Sequence, residues 1–174
     1  MKKMIGFVLL ALATMTMVES AFAQSDAGAK MRGESNFYGG SAGRAMRGAR
    51  DYSNDYRQYV QTAPAKKVNP EVASEAADSI GQYIKKAQKH MAWMRKQAAS
   101  DKATLTSLDL IDKNLAAAAG THEELHEICM KDNVDAAGSM KCCQNVDESL
   151  SAAIAEHDKL MKRLAGDKAA ALKK

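Results

Sequence analysis

Apolar residues recur every three or four positions along most of the chain beyond residue 41, which is the period of an α-helix with one buried face. Between Ser41 and Thr62 the recurring positions are Met46, Ala49, Tyr52, Tyr56 and Tyr59 with Val60. They predict a first helix whose start is weakened by Gly43 and Gly48. The segment Ala63 to Val68, which contains Pro64, breaks that pattern, and Asn69-Pro70-Glu71 then predicts a new start, because Asn caps free amides and Pro fits the first helical turn.

The second helix is expected to run to about Ala99 with Ala73, Ala76, Ile80, Tyr83, Ala87, His90 and Met94 on its inner stripe and Ile84 and Met91 beside it. A third begins near Asp101 to Thr104 and carries Leu108, Ile111, Leu115, Ala118, His122, Leu125 and Cys129 inward. Gly120-Thr121, with Glu124 three residues on, has the form of a stop followed by a capping box. The apolar phase crosses it without a break, so one helix kinked near Gly120 is expected. Lys131 to Ser139 forms the reversal before a fourth helix with Cys143, Val146, Leu150, Ala153, His157, Leu160 and Leu164 on one stripe and Gly166 at its end.

Long amphipathic helices joined by short connections pack as antiparallel neighbours, which predicts an all-α, up-down-up-down four-helix bundle, or a three-helix bundle if the first helix is absent. The expected domain is 41–166, followed by a frayed Lys-rich tail, 167–174. Six of the eleven glycines lie between positions 28 and 48, so residues 24–40 read as a flexible Gly-rich segment. The basic residues there (Lys30, Arg32, Arg44, Arg47 and Arg50) read as a solvated arm.

The first residues change the context. Lys2 and Lys3, the apolar stretch Met4 to Val18 and the Ala21-Phe22-Ala23 ending have the form of a cleavable signal peptide, 1–23, with the mature chain beginning at Gln24. The apolar stretch is shorter than the roughly 20 residues a bilayer requires, so no transmembrane segment is expected after its removal. The expected location is exported, periplasmic or secreted. A net charge of +4, with basic and acidic residues interspersed, gives no footing for nucleic acid.

In an oxidising compartment three Cys imply one disulfide, Cys129 with Cys142 or Cys143, and one thiol left over. Adjacent side chains diverge by about 100° on a helix, so Cys142 and Cys143 cannot both face one partner. All four His also fall between positions 90 and 157. When the helices are folded about residue 101 and about residue 135 or 136, His90 and His157 come to one level, with Met94 and Met161 within a turn of them.

Imidazole with thioether suits copper, and imidazole with thiolate suits zinc. The first candidate metal site is therefore His90, Met94, His157 and Met161, and the second is His122, His126, Cys129 and Cys143. The alternative for each His is a satisfied core residue, and for each Met a gap-filler. His122-Glu123-Glu124-Leu125-His126 has the spacing of a zinc-protease helix, but no third ligand or large catalytic domain accompanies it. No nucleophile elbow, haem motif or Cys-x-x-Cys motif is present, so an enzyme is the weakest expectation. The chain reads as an exported helical binding protein for a metal ion such as copper or zinc. Its competitor is a structural bundle whose partner is another exported protein.

Overall fold

The computed structural model describes the backbone of residues 3–64, 67–98 and 101–171, and the side chains of residues 33–64, 67–98 and 101–166. The side chains of the leader 1–23, those of most of the Gly-rich segment, and those of the Lys-rich tail lie outside the described residues. The chain divides into two compact units, 1–37 and 38–174. In the first, the described backbone is helical. The second is the bundle.

Four helices appear in order: α1 (Lys3–Thr62), α2 (Pro70–Gln97), α3 (Lys102–Cys129) and α4 (Ala136–Ala171). Among the described residues there is no strand, and no helix is long and apolar enough to cross a membrane. The starts of α2, α3 and α4 each have a local cause. The Asn69 side chain accepts from the Glu71 amide at 2.9 Å ahead of Pro70, and the Asp101 carboxylate accepts from the amides of Ala103 and Thr104. Asp135 does the same for Ala137 and so starts α4 at Ala136, earlier than the sequence placed it.

Cross-helix pairs join the antiparallel helices. Arg47 of α1 holds Asp158 of α4, Arg95 of α2 holds Asp109 and Asp112 of α3, and Ser107 of α3 donates to Glu156 of α4. The arginine pairs are partly exposed and each contributes little to stability, but together they pin the register.

On two helices the inner stripes keep most of the expected positions and differ at a few, Tyr83 and His90 on α2 and Tyr52 on α1. On α2 the buried line is Ala73, Ala77, Ile80, Ile84, Ala87, Met91 and Met94, with the expected Ala76, and also Gly81, buried beside it, while Tyr83 and His90 are only half-buried. On α1 it is Ala42, Met46, Ala49, Ser53, Tyr56 and Val60, with Tyr52 43% exposed. Both lines alternate steps of four and three, the seam of a bundle. A helix with apolar residues on adjacent rows offers two such seams, and its neighbours select one.

Two further expectations change, at Tyr38 to Gly40 and at Gly166, and the continuity of α3 holds. Tyr38, Gly39 and Gly40 belong to helical, packed structure and not to a flexible leader. α4 continues through Gly166 to Ala171. α3 runs through Gly120 as one helix, and a Cβ at Gly120 would meet nothing within 4 Å. Gly120→Ala is therefore expected to stabilise the protein by about 1 kcal/mol, because Ala loses less backbone entropy in an exposed helical position. Urea melting checks it, and a loss of stability would mean that Gly120 is strained or packed.

Candidate metal-binding site

The first candidate set gathers around two glycines of α1. Gly39 and Gly43 are one turn apart, and α4 runs antiparallel across them. The ideal Cβ position at Gly39 lies 2.6 Å from Met161 Sδ, and that at Gly43 lies 2.8 Å from His157 Cε1. Only hydrogen fits there, and that lets α4 approach the α1 backbone. Met94 of α2 reaches the same spot, its Cε 3.6 Å from the Gly39 position, so Met94 and Met161 meet over one residue.

His157 is 3% exposed, and its Nε2 donates to the Gly39 carbonyl at 2.9 Å. Its Nδ1 faces Asp158 Oδ1 at 3.4 Å. Burial pushes the Asp158 carboxyl up, but the hydrogen bonds from Arg47 and His157 outweigh that and hold it below the ordinary value. One ring nitrogen of His157 is thus spent on the backbone and the other lies beside a carboxylate already held by Arg47.

His90 differs. Its ring lies 5.5 Å from that of Tyr38, which stacks on Trp93 at 4.1 Å. Its Nδ1 is enclosed and has no hydrogen-bond partner among the described residues. Burial first, then the charges of Lys86, Lys89 and Arg44, lower its pKa below the ordinary value. The imidazole is therefore neutral at neutral pH and offers a lone pair.

The second candidate set does not come together. His122 Nε2 donates to the Ala77 carbonyl at 2.8 Å, in space left by Gly81, and is only half-buried. His126 turns to Asp78 at 3.4 Å. Both imidazoles border a cleft of about 540 Å³ between α2 and α3, shared with Glu123, Glu127, Lys85 and Gln88. Cys129 sits two turns beyond His122, about 10 Å along the helix axis, and makes its contact with α1: the Tyr56 hydroxyl lies 3.4 Å from its Sγ. Cys143 lies under Ser53, whose hydroxyl donates to the Cys143 carbonyl. Among the described residues, no three side chains drawn from His, Cys, Asp and Glu form a metal-holding group.

The three thiols are buried and unpaired in this structure. Cys142 and Cys143 each feel the charge of Cys129, so the three neighbour one another at the α3–α4 end. Burial pushes all three up, Cys143 to about 12, which leaves them as thiols and poor nucleophiles. Ser139 Oγ is buried beside Tyr56 and Cys129, close enough to ease the ionisation of both, yet without hydrogen-bond geometry to either.

No protein-family model, curated protein or solved structure matches the chain. The residues missed in the sequence are Tyr38, Gly39 and Gly43. Their signal was the Gly-x-x-x-Gly spacing, which lies inside a stretch whose glycine content reads first as loose chain.

Proposed function

We propose that this chain is a small exported helical-bundle protein that binds copper as Cu(I) between α1, α2 and α4. The thioethers of Met94 and Met161 and the Nδ1 of His90 are the ligands, and His157 fixes the α1 backbone beneath them. The observation that supports this reading is the enclosed His90 Nδ1, left without a partner one helical turn from Met94. A buried polar atom without a partner costs about 1–3 kcal/mol, and a metal ion would recover that. Neutral imidazole and thioether ligands match a soft, singly charged ion better than zinc.

Mature protein lacking a tag is titrated with Cu(I) under reductant against a chromophoric chelator. One equivalent is expected to bind, and Met94→Leu/Met161→Leu should lower the affinity at least tenfold with little change in the apo melt, because Leu conserves volume. A Cys129→Ser/Cys142→Ser/Cys143→Ser variant should bind as wild type does. Failure of wild type to bind, or loss of binding in the Ser variant, overturns the assignment. Intact mass of the exported chain tests processing separately, with Gln24 expected as the first residue.

The thiol cluster supports a second role for the α3–α4 end, a disulfide of Cys129 with Cys142 or Cys143 formed on export. Counting reactive thiols in denatured protein without reductant should then give one, and three would overturn it.

A further inference from the structure

A separate cavity lies between α1 and α2 near their connecting loop. Tyr52, Asp55, Tyr56 and Tyr59 recur on one face of α1, and Val72, Glu75 and Ala76 face them from α2, lining a solvent-open groove of about 270 Å³. The space exists because Val72 and Ala76 are too short to fill the gap opposite three aromatic rings. It is smaller than pockets that take drug-sized molecules, so its occupant is small.

Two of the rings are anchored at their far ends. The Tyr56 hydroxyl is held at Cys129 Sγ, 3.4 Å away, and the Tyr59 hydroxyl accepts from the Asn69 amide at 3.0 Å. With both hydroxyls engaged elsewhere, half-buried Tyr59 presents ring surface to the groove and Tyr56, 3% exposed, lies beneath as its floor, the centroids 6.2 Å apart and the planes 27° from parallel. Tyr52 extends the wall and is backed by Tyr83, ring to ring at 5.7 Å.

One carboxylate stands on each helix, Asp55 and Glu75, and neither has an ion pair or a hydrogen bond among the described residues. No basic side chain lines the cavity. The negative faces of aromatic rings attract cations, and the effect grows as the site dries. Two unneutralised carboxylates add to the same field and oppose any anion. A neutral apolar ligand would gain nothing from them. A primary ammonium could be met only by the two exposed carboxylates, because the Tyr56 and Tyr59 hydroxyls are engaged elsewhere and leave ring carbon at the inner wall.

From this arrangement we propose that the α1–α2 cavity is a binding site for a small quaternary ammonium compound, with Tyr52, Tyr56 and Tyr59 as the cage and Asp55 and Glu75 as the counter-charges. The methyl groups of such a cation spread positive charge over an apolar surface and ask for no hydrogen bonds.

Choline, its uncharged carbon isostere 3,3-dimethylbutan-1-ol, and n-butylammonium are titrated into the mature protein and followed by the NMR shifts of the tyrosine rings. Choline should bind saturably and shift Tyr52, Tyr56 and Tyr59, with the isostere and butylammonium each weaker by roughly tenfold. Asp55→Asn/Glu75→Gln, two exposed changes that leave the fold alone, should weaken choline by a similar factor and bring it towards the isostere. Tyr59→Leu should weaken it further. Absence of saturable choline binding overturns the proposal. Equal binding of the isostere would reduce the cavity to an apolar groove, and tighter binding of butylammonium would remove the quaternary assignment.

Discussion

Gly43→Ala is expected to destabilise the protein by about 2 kcal/mol, although Ala is worth about 1 kcal/mol more than Gly in a helix. The added methyl would lie 2.8 Å from His157 Cε1 and 3.0 Å from a terminal nitrogen of Arg47. Arg47 can swing aside, but His157 is buried between α1 and α4 and has nowhere to go. Either α1 lifts from α4, at the usual overpacking cost of about 1–3 kcal/mol, or the ring turns and leaves its Nε2 without the Gly39 carbonyl, at a similar cost. Thermal melting should fall by roughly 7 °C. Gly120→Ala makes the contrast, because the same chemical change there has open space and should act in the opposite direction. If Gly43→Ala is as stable as wild type, α1 and α4 are not in close contact at this level.

Leu115→Ala is expected to cost about 3 kcal/mol, and Leu110→Ala less than about 0.5 kcal/mol. The two lie five residues apart on α3, but Leu115 is fully buried and Leu110 is 46% exposed. Truncating Leu115 removes apolar atoms from the core and leaves a void that its packed neighbours cannot fully close. Truncating Leu110 removes atoms that already touch solvent. Urea denaturation with unchanged slope should show a shifted midpoint for Leu115→Ala alone. Equal costs for the two would mean that α3 presents a different face to the core.

How far the site could be read beforehand follows from the range of the forces involved. On α2 the choice between His90 and Met91 as the buried residue turns on a rotation of about 100°, smaller than the width of an apolar stripe. The sequence offers both seams, and contact with α1 and α3 selects the one through Met91. His90 is left at the border against Tyr38, where its Nδ1 is enclosed but unpartnered. On α3, His122 and Cys129 point the same way round the helix, so a projection down the axis places them together. Their separation along the axis puts them against different neighbours, Ala77 of α2 for one and Tyr56 of α1 for the other.

Sequence alone determined the helices, the cap at Asn69, the break near Pro64 and the antiparallel order, because these depend on interactions within a few residues and on the length of the connections. Only the tertiary structure decided which seam each helix buries, that Gly39 and Gly43 form a contact surface, and that Met94 and Met161 converge there while the second His/Cys set divides. Those outcomes depend on the shape of a facing helix. A glycine reads as loose chain until another helix is placed against it, and then the missing Cβ is what allows the approach.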